Sequence, residues 1–207
     1  AIDVPPNAQI SFGGTNLAVV STAGDMWIVP AVGDLQFNFV SDPPILELGD
    51  GGKATVTTEG VVIAVSPEKK SIFRVETVAD EPVQSDFPAV GEFQIAATGE
   101  SAVVFDQSTN TVITEGGRSS ELTQPGLRLQ QSSAESAPAL VATADSLERV
   151  ELGSGSVSEI PADVSTPAAD ASGVSAPVAL DGCAHGAWAS GQRYLLACTG
   201  GDPQTQD

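Results

Sequence analysis

A repeat constrains this chain more than any other feature. Five segments share one plan: an apolar strand, a short polar turn and a second apolar strand. They are Asn16 to Pro30 (NLAVVST, AGD, MWIVP), Val61 to Glu76 (VVIAVS, PEKK, SIFRVE), Ser101 to Glu115 (SAVVFD, QSTN, TVITE), Pro138 to Leu152 (PALVATA, DS, LERVEL) and His185 to Cys198 (HGAWAS, GQ, RYLLAC). Their β-branched content and turn residues read as β-hairpins. Successive hairpins begin roughly 37 to 47 residues apart, close to the period of a four-stranded propeller blade. The spacers hold shorter strand candidates, LQFNF, ILEL, ATVTT, FQIAA, LRLQQ, VSEI and APVAL, enough to make four strands per repeat.

The expected fold is therefore all-β: one β-propeller-like domain over residues 1–198 with about five four-stranded blades, then a tail at 199–207. Either the five repeats close as a ring, the N-terminal segment completing the last blade, or they belong to a larger propeller. The alternative fold is two β-sandwich domains, whose strands recur every 8 to 12 residues or so. DSLERVEL has the Asp145–Glu148 spacing of a helix capping box, but eight residues make a marginal helix and the repeat register says strand. Small residues without periodicity at 162–176 read as an exposed insertion between the fourth and fifth repeats.

Charge narrows function. Against 27 acidic side chains stand only 8 basic ones, a formal net charge of −19. Such a surface repels phosphate backbones and anionic lipid, so nucleic-acid binding and a polybasic membrane anchor are excluded. No run of 18 apolar residues is present and AIDVPPNAQ lacks the parts of a signal peptide. The expectation is a cytoplasmic protein or an excised part of an exported one.

Cys183 and Cys198 are the only cysteines, and their midpoint falls at the turn of the fifth hairpin. Two residues equidistant from a hairpin turn face each other, which suggests a disulfide and an oxidising, extracytoplasmic compartment. The bland alternative is two buried thiols.

Chemical motifs are scarce. His185 is the only histidine and no serine sits in Gly-x-Ser-x-Gly, so nucleophilic catalysis has no visible base–nucleophile pair. The stretch Gly49-Asp50-Gly51-Gly52-Lys53 lacks the first glycine and the final Ser or Thr of a phosphate loop and reads as a turn. Carboxylate pairs such as Glu47 with Asp50, or Asp80 with Glu81, fit solvated connections better than a glycosidase. Asp42, Asp50, Asp106, Asn110 and Asp202 sit beside turns but lack the spacing of a calcium loop; Asp106 reads as an Asx-turn residue. No catalytic, cofactor-binding or metal residue is assigned. Val19, Trp27, Val62, Ile72, Val103, Val141 and Leu195 read as core. Trp188 and His185 are candidate partner contacts, although packing is the commoner role for a strand tryptophan.

At the fifth hairpin the residues resemble a family. Gly182-Cys183-Ala184-His185-Gly186-Ala187-Trp188, within APVALDGCAHGAWASGQRYLLAC, is similar to the Gly-Cys-x-His-x-Ala-Trp stretch of large actinobacterial surface proteins that carry fibronectin type III or Ig-like repeats. LRLQQSS, PALVATADSLERVEL and GDMWIV resemble the N-terminal, propeller-like region of those proteins. The resemblance implies an extracellular region between a membrane helix and a long array of such repeats. It also implies genes beside a protein kinase, an AAA-type ATPase and a transglutaminase-like protein, as in bifidobacteria.

The function expected on these grounds is a non-enzymatic extracellular interaction, adhesion or spacer module of a membrane-anchored protein. Its partner would be a protein, including a host cytokine such as tumour necrosis factor, and it would need no cofactor. The alternatives are a ligand-sensing ectodomain linked to the kinase system and a carbohydrate-active propeller enzyme.

Overall fold

The computed structural model describes residues 2–76, 79–134, 138–144, 146–161, 174–180, 183–190, 193–197 and 204–206, with side chains through residue 160 and at 174–177. Among the described residues twenty-two strands, numbered in chain order, form five four-stranded sheets and one small parallel pair. The first sheet is β2 (Gln9–Gly13), β3 (Asn16–Val20), β4 (Asp25–Pro30) and β6 (Leu46–Glu47). The second is β7 (Lys53–Val56), β8 (Val62–Ser66), β9 (Ser71–Val75) and β10 (Val83–Asp86). The third is β11 (Phe93–Thr98), β12 (Ser101–Asp106), β13 (Thr111–Thr114) and β14 (Ser119–Glu121). The fourth is β15 (Arg128–Leu129), β16 (Ala139–Ala142), β17 (Ser146–Val150) and β18 (Val157–Pro161). The fifth is β19 (Val178–Leu180), β20 (Cys183–Ser190), β21 (Arg193–Ala197) and β22 (Gln204–Gln206). Each is an antiparallel meander in chain order.

The hairpins read from the sequence form the second and third strands of each blade. DSLERVEL pairs as strand over Ser146–Val150, so the repeat overrides the capping signal. Asp106 makes the Asx-turn expected of it, accepting Ser108 N–H at 2.9 Å and Thr109 Oγ1 at 2.9 Å.

Two expectations need correcting. The N-terminal segment completes no last blade: residues 9–13 form the first strand of the first blade. LQFNF yields only β5 (Phe37–Asn38), which pairs in parallel with β1 (Ile2–Asp3) rather than joining a blade. The expected insertion at 162–176 and the tail at 199–207 lie largely outside the described residues.

The blades pack face to face through separate apolar clusters. Val20, Met26 and Ile28 meet Ala54, Val56 and Ala64 between blades one and two. Ile63, Val65 and Ile72 meet Phe93, Val104 and Ile113 between two and three. Val103, Phe105 and Val112 meet Leu129, Val141 and Val150 between three and four. Each such side chain is worth about 1.5–3 kcal/mol when fully buried, so the interfaces between blades hold most of the stability. The back of the first blade is covered differently. Val19, Trp27 and Val29 lie under Phe37, Val4 and Ala8, folded over from the 31–45 connection and the N-terminal segment. Nearer the middle of that face Ile10 and Phe12 are 52% and 62% exposed.

Candidate functional site

The first strands of successive blades, β2, β7, β11 and β15, touch one another, so they line the centre of the assembly. They run in the same direction, as the parallel bridge between Thr98 and Ser133 records. Thr55 Oγ1 of the second blade lies 3.1 Å from Ser132 Oγ, just past β15, and Ser132 Oγ also accepts Ala97 N–H at 3.0 Å. Three blades thus meet around the axis.

The residues at or next to the start of these strands are equivalent. Gln9 stands opposite Val20, Lys53 opposite Val65, Gln94 opposite Phe105 and Arg128 opposite Ala142. Each opposing residue is one step before the hairpin turn at the same end of its blade. Four polar side chains, all half-buried, therefore ring one end of the axis. Each reaches toward the next blade. Gln9 Nε2 donates to Ala54 O at 3.2 Å, and Lys53 Nζ donates to Phe93 O. Gln94 Nε2 donates to Leu127 O at 2.9 Å while its Oε1 accepts Leu129 N–H at 2.9 Å. Arg128 Nε donates to Val174 O at 3.3 Å. Gln9 Oε1 is buried without a partner, leaving an acceptor where a ligand N–H or O–H would satisfy it.

Beside Gln9 and Lys53 at this end lies a cavity of about 420 Å³, lined also by Asn7, Thr22, Asp50 and Gly51. Asn7 and Gly51 hold positive φ (55° and 72°). The Gly49–Lys53 stretch is a turn, with Gly52 N–H donating to Gly49 O at 3.1 Å, and it delivers Lys53 to the mouth of the axis. The amine also sits 5.0 Å from the centre of the Phe93 ring. Burial holds its pKa below the ordinary lysine value, the Glu92 carboxylate partly opposing that.

The sign of the resulting pH dependence follows. A lysine whose folded pKa is depressed contributes stability that is fully present above the unfolded value near 10.5 and lost as pH falls through the folded pKa. Urea unfolding of the wild type is therefore expected to gain free energy as pH rises through the window ending near 10.5. Lys53→Met is expected to lack that gain; equal slopes for both proteins would contradict it.

The other sequence candidates lie elsewhere. Asp42 accepts Asn38 N–H at 2.9 Å through Oδ2, on the far side from the mouth. Trp27 is core as expected, 6% exposed, with its indole donating to Asp42 O at 2.8 Å. His185 and Trp188 fall in β20, but their side chains lie outside the described residues, as does the pairing of Cys183 with Cys198. The β20–β21 ladder sets Gly186 opposite Ala197, two residues from the register that makes the cysteines equidistant from the turn. The sequence offers Lys53 only as part of a turn, and it gives no sign of Gln9, Gln94 or Arg128, because the four are 34 to 44 residues apart and form no contiguous motif.

No family model matches the sequence, and a search of curated proteins finds no match. Solved structures do match. The selenomethionine-substituted virginiamycin B lyase from Staphylococcus aureus superposes with a TM-score of 0.59 at 15% identity, over 97% of this chain and 68% of that one. A streptogramin B lyase gives 0.54 at 12% identity, over 94% and 62%. The fold is a β-propeller. A catalytically inactive His-to-Ala variant of the Staphylococcus aureus lyase with quinupristin gives 0.53 at 13% identity, over 94% of this chain and 63% of that one. The propeller expectation stands over the two-sandwich alternative.

The expectation of a non-enzymatic adhesion or spacer module, by contrast, is corrected: the propellers this chain resembles are enzymes. The physical reason is that residues from separate blades meet at the axis, as Gln9, Lys53, Gln94 and Arg128 do, so the absence of a local motif carries no weight. Of the enzyme readings, a glycosidase would converge carboxylates on the axis. The described first strands, QISFG, KATV, FQIAAT, RL and VAL, carry none.

Proposed function

We propose that this chain is the substrate-binding part of a β-propeller enzyme of the lyase class, its substrate seated where the first strands begin. The observation that supports this most is the repeated placement of Gln9, Lys53, Gln94 and Arg128 at that end of the axis. Elimination without water needs a group to accept a proton and a fixed positive charge where negative charge develops. Burial moves Lys53 toward its neutral, proton-accepting form. Arg128 stays charged and presents a planar fork of donors. Gln9 and Gln94 orient the substrate through their amides, Gln9 Oε1 having an acceptor to spare. His185, the only histidine of the sequence, is substituted for comparison, since a His-to-Ala variant of a similar propeller is inactive.

Quinupristin, held by that propeller, is the first substrate to test. Turnover is followed by chromatography for the wild type, Lys53→Met, Arg128→Gln and His185→Ala. Lys53→Met and Arg128→Gln are each expected to lower kcat/KM by about 100-fold or more, with little change in Tm. Turnover that survives both substitutions moves the site away from the axis mouth. A wild type that leaves quinupristin intact removes this substrate from the proposal.

A further inference from the structure

At the opposite end of the first blade, the outermost strand stops early. β6 has two residues, where the fourth strands β10, β14 and β18 have four, three and five. The cause is in the sequence. Continuing the pairs Asp25↔Glu47 and Met26↔Leu46 by two steps sets Pro44 opposite Ile28. A proline has no N–H to give to the ladder, and Pro43 precedes it.

The six-residue β4 is left with a free edge. Its parity is fixed by the hydrogen bonds at both ends of the β3–β4 pair, Ser21 N–H to Asp25 O and Ala31 N–H to Thr15 O. Trp27 and Val29 therefore bond to β3, while Met26, Ile28 and Pro30 turn their main-chain groups outward. Met26 O accepts Ile45 N–H at 2.8 Å. Among the described residues Ile28 N–H and C=O have no such partner. Ile28 and Pro30 instead line a groove of about 470 Å³ whose walls include Trp27, Phe37, Pro43 and Pro44. Trp27 and Phe37 meet edge to face, with centroids 6.0 Å apart. A second cavity of about 560 Å³ adjoins it through Gln36, Phe37 and Asp42, and there Asp3 joins Asp42.

We propose that this groove binds an extended, basic peptide segment of a partner protein, which adds a strand to β4 where β6 ends. Ile28 supplies one main-chain donor and one acceptor, and Pro30 a further carbonyl, the spacing that an added strand reads. Apolar side chains of alternate peptide residues fill the space between Trp27, Phe37 and the two prolines. Basic residues between them suit a chain whose net charge is −19, and those at the ends of the segment meet Asp3 and Asp42 beside the groove. An acidic segment is repelled by the same charges.

The probe is acetyl-Lys-Val-Lys-Val-Lys-Val-Lys-amide, titrated into ¹⁵N-labelled protein. At saturation, exchange of the Ile28 amide proton is expected to slow at least tenfold and the Trp27 indole signal to shift. The same peptide N-methylated at alternate residues cannot form the ladder and is expected to bind at least tenfold more weakly, as is a peptide with Glu in place of Lys. Pro44→Thr, which restores an N–H opposite Ile28, is expected to compete with the probe and weaken it. Unchanged exchange at Ile28, or equal binding of the methylated peptide, would overturn strand addition. Equal binding of the acidic peptide would overturn the basic partner.

Discussion

Gly24→Ala is expected to destabilise the folded protein by about 3 kcal/mol or more, a large share of the roughly 5–15 kcal/mol that holds a domain of ordinary stability together. Gly24 sits in the turn between β3 and β4 with φ at +87°. A Cβ there would fall on the carbonyl oxygen of Gly49, with Gly49 N at 2.6 Å. Both partners are backbone, and the approach is held in place because Leu48 N–H donates to Gly24 O at 2.7 Å. No side chain can rotate away to make room. Gly33→Ala separates the two causes. Gly33 has a similar φ of +71° but nothing within 4 Å of its added Cβ, so only backbone strain applies, about 1 kcal/mol. Urea unfolding of the two variants measures the difference. Equal losses would mean that the contact between the turn and Gly49 is not as close as described.

Phe105→Ala is expected to cost about 3–5 kcal/mol. Phe105 is 0% exposed in the cluster shared by the third and fourth blades. Gly126, in the connection between them, lies so close that its added Cβ would meet the Phe105 ring at 2.6 Å. Removing the ring leaves a void against a connection that is pinned and unable to collapse. Thr123 Oγ1 donates at 2.5 Å to Glu148, a carboxylate fully buried in the fourth blade, and Gly126 N–H donates to Asn110 Oδ1 at 2.8 Å. Phe12→Ala provides the contrast, since Phe12 is 62% exposed and its truncation is expected to change stability by less than about 0.5 kcal/mol. Similar losses at both positions would contradict a core that lies between blades.

The parts of the fold legible in the sequence are those held by local chemistry. The hairpins from Asn16, Val61, Ser101 and Pro138 appear, and in the first three Gly24, Lys70 and Asn110 adopt the positive φ (87°, 50° and 56°) of their turns. Strands that depend on partners far along the chain were less legible. QISFG alternates polar and apolar residues as a strand does, but it stands outside the hairpin repeat, and its apolar residues Ile10 and Phe12 are exposed. LQFNF has the composition of a blade strand, but Pro43 and Pro44 bar its neighbours from the β4 ladder, and Phe37 is drawn instead onto Trp27. The axis residues were illegible for a different reason. A Gln or Lys at the start of a strand carries no local signal, and only the register of four separate ladders shows that Gln9, Lys53, Gln94 and Arg128 occupy one position.

The central claim is that one end of the axis, where β2, β7, β11 and β15 begin, is the ligand site. Amide chemical-shift mapping with quinupristin and ¹⁵N-labelled Lys53→Met protein, slowed in turnover, tests it most directly. The account expects the shifted amides to cluster at Gln9, Gln94 and Arg128, at position 53, and at the Thr22 and Asp50 turns beside them. Shifts confined to the 31–45 connection at the other end of the first blade, or scattered over the outer strands, would contradict it.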